Sequence, residues 1–293
     1  MDGNVLAVSN GISSLHKRGI KRADIRVNMG GVVDGDGNVA RQGRCYNKNM
    51  TNLIEIFSSA QGEGKYVGCR QVFIRTADCN LHCGYCDTNF NRADFCNVET
   101  FAGSMKFTQV QNPIDAVSVA DIVKNFCAQV PTHSVSFTGG EPLLHGDFIA
   151  DVAAALKGFC DAKIFLETNG TLAAELEKIL SAVDIISMDI KFSSVTGVNL
   201  FERHREFLSV ARTKDLYVKA VISDETSREE FLKAVELVAE VSPSTLFVLQ
   251  PVTPAGNVKA ASPQKVLDFQ ALALKKLRDV RIIPQTHKIA GNL

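Results

Sequence analysis

From residue 70 onward, short apolar runs rich in β-branched and aromatic residues alternate with longer amphipathic segments. The runs QVFIRTA (71–77), SVSFTG (134–139), KIFLET (163–168), DIISMDIK (184–191), LYVKAVI (216–222), LFVLQPV (246–252) and VRIIP (280–284) predict strands. Helical periodicity falls between them, near 118–130, 146–160, 171–182, 199–212, 227–241 and 263–278. Ser118 with Asp121 suggests an N-terminal capping box, and Ser262-Pro263 places a proline in a first helical turn. Near-continuous apolar strands alternating with helices imply a parallel sheet covered by helices. Six or so such units predict an α/β barrel, full or partial.

Residues 1–49 break this pattern. They hold eight of the 21 glycines and no Phe, with eight Lys/Arg against four Asp/Glu. That texture predicts a weakly ordered extension, an appendage or an upstream misassigned start. GGVVDGDGN has turn chemistry, but Asp34 and Asp36 lack the downstream Glu and flanking helices of a calcium loop. The run MTNLIEIFSSAQGEG, starting at Met50, reads like the beginning of the core domain, 50–293. A polar insertion at 89–112 carries Phe90, Phe95, Phe101 and Phe107, which suggests a lid or a partner surface.

Composition narrows the function classes. The chain's 32 Lys+Arg balance 32 Asp+Glu, so a protein built to coat nucleic acid or an acidic membrane is not expected. The balance is a cancellation, since 50–293 holds 24 Lys/Arg against 28 Asp/Glu. No segment approaches the roughly 18 unbroken apolar residues of a membrane helix, and the N-terminus has no secretory pattern. A cytoplasmic protein is expected, where thiols stay reduced and clustered cysteines bind metal or do chemistry.

Polar and Gly-rich segments follow the predicted strands: TADCNLHCGYCDT, TGGEP, ETNGT, DIKFSS, SDETS and QPVTPAG. In parallel α/β folds ligands gather at those strand ends. Of eight cysteines, Cys79, Cys83 and Cys86 form C-x3-C-x2-C, a spacing that wraps one corner of a metal centre. Zinc would want a fourth ligand such as His82, Cys69 or Cys96. A [4Fe-4S] cluster can take three thiolates and leave one iron open. Spacing alone leaves both readings standing. Cys69, Cys127 and Cys160 read as small hydrophobes.

With Tyr85 just before the last cysteine and the triplet Gly139-Gly140-Glu141 after a later strand, the chain resembles the radical S-adenosylmethionine (SAM) superfamily. The blocks EIFSSAQGEGKYVG, VFIRTADCNLHCGYCDT, FTGGEPLL, ETNGT, DIKFSS and PQTHKIAG narrow the resemblance to the 7-carboxy-7-deazaguanine synthase family. They run through the body and leave the first 49 residues outside.

The resemblance implies a partial (β/α)6 TIM-like barrel of the radical SAM type and a carbon–nitrogen lyase. Its reaction contracts 6-carboxy-5,6,7,8-tetrahydropterin to 7-carboxy-7-deazaguanine with loss of ammonia, in queuosine-type biosynthesis. It implies a [4Fe-4S] cluster on Cys79, Cys83 and Cys86, S-adenosylmethionine, Mg²⁺ on Thr88, an unidentified electron donor and a homodimer. Tyr85, Cys86, Asp87, Gly140, Asp189, Ile190 and Lys191 match cofactor contacts. Ala60, Gln61, Gly62, Arg75 and Thr138 match substrate contacts, with Arg75 suited to grip a carboxylate.

Glu141 offers a carboxylate that could pair with the cofactor's ammonium. Glu63, Glu167 and Gln250 stand as further candidates, and His287 reads as structural. DIK stands where many members carry SPK, and the chain ends GNL where some relatives end in proline. Competing readings are another radical enzyme, such as a glycyl-radical activase, and a zinc-binding α/β module without redox chemistry. The AQGEG block and Arg75 argue against the activase.

Overall fold

The structure, a computed structural model, describes residues 50–291 and the two short strands Val32–Val33 and Val39–Ala40. Contacts divide the chain into Met1–Asn47 and Lys48–Leu293. In the first unit the two short strands pair antiparallel. The expectations for Asp34 and Asp36, and for the order of 1–49, lie outside the described residues.

The second unit is built on ten strands: β1 (Leu53–Ala60), β2 (Arg70–Thr76), β3 (Phe95–Glu99), β4 (Phe107–Gln111), β5 (Ser134–Gly139), β6 (Lys163–Thr168), β7 (Ile185–Ile190), β8 (Asp215–Ile222), β9 (Leu246–Pro251) and β10 (Val280–Ile282). They form one open sheet in the order β10-β9-β8-β7-β6-β5-β2-β1-β3-β4. From β2 through β10 neighbouring strands run parallel, and β1 reverses direction against β2. Helices α1 (Ala116–Gln129), α2 (Gly146–Leu156), α3 (Ala173–Ile179), α4 (Phe201–Ala211), α5 (Arg228–Val241) and α6 (Pro263–Ala273) connect the strands. This is a partial TIM-like barrel, and its parallel strands end on one rim.

Sequence accounts for most of this. Phe165, Val218, Phe247 and Val248 are fully buried because their strands have covered faces. Phe231 on α5 stacks on Phe269 of α6 at 4.3 Å and meets Phe247 at 6.2 Å. Burying each such ring stabilises the fold by about 1.5–3 kcal/mol. Ser262 caps α6 by accepting from Lys265 N, with Pro263 at its first turn.

Four local expectations change. Asp115, not Ser118, caps α1, accepting from the amides of Val117 and Ser118, so the helix begins earlier. Residues 53–60 form β1, a strand that the Ser58-Ser59 pair conceals from an apolar count. The insertion at 89–112 contains the hairpin β3–β4, which extends the sheet edge rather than lying over the strand ends. Cys96 on β3 is fully buried, and burial with nearby Glu55 pushes its thiol up to about 12, so it is a packed small hydrophobe. Among the described residues no helix is long and apolar enough to cross a membrane.

Candidate active site

β2 delivers the chain directly to the cysteine loop. Asp78 turns it with φ of 65°, and its carbonyl accepts from Glu141 N at 2.8 Å. Arg92 Nε holds the Asp78 carboxylate at 3.0 and 3.1 Å. Asn80 donates to Thr171 Oγ1 at 2.9 Å and accepts from Asn169 Nδ2 at 2.8 Å, tying the loop to the end of β6. Gly84 N donates to Val195 O at 2.9 Å beyond the end of β7. The loop is thus anchored at Asp78, Asn80 and Gly84, and Cys79, Cys83 and Cys86 are free thiols spaced along it.

The three cysteines line a cavity of about 180 Å³ together with Gly140, Asp189, Lys191, Lys219 and Gln250. Burial pushes the Cys79 and Cys83 thiols up, so a bound cationic centre would be needed to hold them as thiolates. A Cβ on Gly140 would lie 1.7 Å from the carbonyl oxygen of Asp78, so only glycine lets the β5 turn pass the cysteine loop. Lys191 is no solvated strand end. Its Nζ donates to Asp189 Oδ2 at 2.8 Å and lies 3.3 Å from Tyr85 Oη.

Glu141 departs from expectation. Its side chain is fully buried and accepts from Leu143 N at 3.1 Å, Thr168 Oγ1 at 2.7 Å and Asn169 N at 2.8 Å. Burial pushes its carboxyl up to about 7 despite these bonds. The carboxylate locks one strand end to the next from inside the core and lines neither cavity, out of reach of an incoming ammonium.

A second cavity of about 420 Å³ lies alongside, lined by Ala60, Gln61, Gly62, Arg75, Thr138 and Glu167 among others. Gln61 Nε2 donates to Gln71 Oε1 at 3.0 Å and Glu167 Oε1 at 2.9 Å. Glu167 also accepts from Ser136 Oγ at 3.0 Å and Thr138 Oγ1 at 3.3 Å, so its carboxylate is fixed by three donors. Arg75 Nε donates to Glu55 Oε1 at 2.7 Å. The Thr286 amide and hydroxyl bond Gly62 O at 2.9 and 3.1 Å, folding the C-terminal segment against this cavity.

Glu63, Asp87, Thr88, Thr138, Gly139, Glu167 and Gln285 line both cavities, so the two are halves of one site. Glu141, His82, Cys69 and Cys96 line neither half, and of the residues matched to cofactor or substrate contacts only Ile190 is absent from both. Its side chain is buried in the core, which leaves only its backbone to offer a ligand.

Residues 73–254 match the family model of the radical SAM superfamily. The 7-carboxy-7-deazaguanine synthase of Geobacter sulfurreducens is 42% identical over 250 residues, covering 84% of this chain and 99% of its own length. That of Methanocaldococcus jannaschii is 34% identical over 261 residues, covering 82% of this chain and 100% of its own. The chain belongs to the 7-carboxy-7-deazaguanine synthase family. A solved radical SAM methyltransferase from Sphaerobacter thermophilus aligns with TM-score 0.51 and 14% identity, over 74% of this chain and 66% of that one. That likeness shows the fold alone.

The radical SAM superfamily implies a [4Fe-4S] cluster and S-adenosylmethionine, and the smaller half-site fits them chemically. It brings together three free thiols on one anchored loop. Gln250 Oε1 is buried there without a hydrogen-bond donor, and Asp189 Oδ1 meets only the Lys219 ammonium at 3.2 Å, so polar capacity is left for a ligand. Among the described residues no three His, Cys, Asp or Glu converge on a point suited to a single metal ion. A lone zinc ion therefore finds no ready set of ligands, whereas a cluster needs its thiolates spread around a larger body.

Sequence reading of this family member missed Lys219, Asn80 and Asn169. Lys219 had left a signal: a lysine inside LYVKAVI, an otherwise apolar buried strand, is almost never fully buried unless paired.

Proposed function

We propose that this chain contracts 6-carboxy-5,6,7,8-tetrahydropterin to 7-carboxy-7-deazaguanine with loss of ammonia, as a lyase supplying deazapurine nucleosides of the queuosine type. The observation that carries the reading is the shared wall between the two half-sites, which sets a cysteine-lined cavity beside a polar one of substrate size. Cys79, Cys83 and Cys86 would hold the cluster. Tyr85, Asp87, Gly140, Asp189, the Ile190 backbone and Lys191 would hold S-adenosylmethionine. When bound and reduced, the cluster would supply the electron for cleaving S-adenosylmethionine to methionine and a 5′-deoxyadenosyl radical.

The chain's own residues bind and orient the pterin. Arg75 spends its Nε on Glu55, which leaves its terminal Nη groups to meet the pterin carboxylate end-on. Glu167 and Gln61 present an acceptor and an amide already aligned by their mutual bond, so little reorganisation is needed on binding. Ala60, Gly62 and Thr138 line the same half and shape it around a flat ring. Thr88 offers a hard hydroxyl oxygen on the shared wall, suited to Mg²⁺ when substrate oxygens complete its shell.

Residues 50–293 form the catalytic domain in this reading. A homodimer, a cytoplasmic setting and an external one-electron donor complete it, supported by family membership and by the reduced thiols the chemistry requires. Anaerobic reconstitution with iron and sulfide tests the reading's first step. A brown protein with thiolate-to-iron absorption that cleaves S-adenosylmethionine is expected. A colourless protein retaining one Zn²⁺ would overturn the reading.

A further inference from the structure

Lys219 lies in the middle of β8, a strand otherwise filled with apolar residues, and its side chain is only 4% exposed. Its Nζ donates to Glu63 Oε2 and sits 3.2 Å from Asp189 Oδ1. Those two carboxylates differ in reach across the site. Glu63 is on the wall shared with the larger cavity, while Asp189 lines only the smaller one. Asp189 in turn accepts from Lys191 through its other oxygen. One buried ammonium therefore closes a charge chain, Glu63–Lys219–Asp189–Lys191, that crosses the site from one half to the other.

We propose that Lys219 is a positioning residue serving both half-sites at once, holding Glu63 toward the pterin and Asp189 toward S-adenosylmethionine. The proposal rests on the functional reading above, which assigns those two ligands to the two cavities. A buried carboxylate stays ionised and fixed only with a paired cation or several donors. Burial alone would push Glu63 up. The Lys219 charge and hydrogen bond, the Gln285 amide at 2.7 Å and nearby His287 instead bring it down to about 2. Burial would likewise lower Lys219, but Asp189, Glu63, Tyr217 and Glu167 around it hold it well above its ordinary value. Without the ammonium, Glu63 keeps only Gln285 and His287, and Asp189 keeps only Lys191.

The sign follows. With Lys219 present, Glu63 is ionised across the working range, so its contribution to pterin binding does not change with pH. In K219Q the desolvated Glu63 is raised, protonated at lower pH and ionised again as pH rises.

The test uses holoenzyme with its cluster oxidised, so nothing turns over, and measures binding of 6-carboxy-5,6,7,8-tetrahydropterin and S-adenosylmethionine by anaerobic equilibrium dialysis. Relative to wild type, K219Q should bind the pterin about tenfold more weakly near pH 6.5 and recover most of that loss by about pH 9. It should also bind S-adenosylmethionine at least about threefold more weakly. K219R should stay within about threefold of wild type for both ligands. E63Q should weaken the pterin alone.

A K219Q-to-wild-type ratio for the pterin that is constant across pH, or an unchanged affinity for S-adenosylmethionine, would overturn the proposal. Wild-type protein that binds S-adenosylmethionine and no pterin would defeat the functional reading, and the two-sided role of Lys219 with it. Should K219Q not fold, K219R decides, since a tenfold loss of both ligands there contradicts a role met by a cation alone.

Discussion

Asn169 donates its backbone N–H to Glu141 Oε2 at 2.8 Å, and this bond joins the turn after β5 to the turn after β6. The GGE triplet therefore does two separable jobs. Gly140 lets the backbone pass the cysteine loop, and Glu141 clamps the neighbouring strand end from inside the core.

His204 of α4 lies on the far side of the same clamp, with Nε2 3.2 Å from Asn169 O. Burial lowers its imidazole from 6.5 to about 4, while burial raises Glu141 from 4.5 to about 7. The signs oppose each other. The Glu141 carboxyl favours folding when protonated, so its contribution is lost as pH rises from 4.5 toward 7. The His204 imidazole favours folding when neutral, so its contribution is lost as pH falls from 6.5 toward 4. Each shift is worth on the order of 3 kcal/mol. Melting curves should show the penalty of E141Q shrinking as pH rises, and that of H204Q shrinking as pH falls. Parallel pH dependences for the two variants would contradict this assignment.

Gly140→Ala and Gly62→Ala separate a constraint at the sheet end from one against the C-terminal segment. The new Cβ at 140 meets the Asp78 carbonyl oxygen at 1.7 Å, whereas the one at 62 meets His287 Nδ1 at 2.1 Å. His287 Cβ also lies 2.6 Å from the new Cβ at 62 and does not move with the ring, so the short C-terminal helix must shift. A terminal segment tied there through Thr286 does so more cheaply than a sheet-end backbone held by Glu141 N. G140A should cost at least about 1–3 kcal/mol in urea unfolding and release iron from the cysteine loop. G62A should fold nearly as stably yet bind the pterin more weakly, because Gly62 and His287 line its cavity.

Iron content should sort the cysteines. Replacing Cys79, Cys83 or Cys86 by Ala should abolish the brown chromophore and cleavage of S-adenosylmethionine. Ala at Cys69, Cys96, Cys127 or Cys160 should leave iron per chain unchanged. Cys127 and Cys160 hydrogen-bond each other, with burial the larger cause raising Cys127 to about 11, and neither lines a half-site. Retained cleavage in C83A would remove that thiol from the set of ligands.

The parallel half of the sheet was legible because strands such as KIFLET and LFVLQPV are buried on both faces and show as apolar runs. β1 was hidden by Ser58 and Ser59, and the hairpin β3–β4 by its position at the sheet edge. There FTQVQ is largely exposed and needs no apolar pattern. The site was legible wherever chemistry left a spacing, as in the cysteine run, the GGE triplet and AQGEG. It was illegible where a role depends on a partner far along the chain, as with Lys219 and Glu63, or Asn80 and Asn169. Lys191 and Glu141 show the same limit, since burial and partners, not residue type, decide what a charge does.

The central claim is that the two adjoining half-sites carry out one ring contraction. The most direct test incubates anaerobically reconstituted, reduced wild-type protein with 6-carboxy-5,6,7,8-tetrahydropterin, S-adenosylmethionine and Mg²⁺, and follows the products by mass and ammonia by assay. The account predicts 7-carboxy-7-deazaguanine with equimolar ammonia. A protein that cleaves S-adenosylmethionine to 5′-deoxyadenosine while leaving the pterin intact would contradict it.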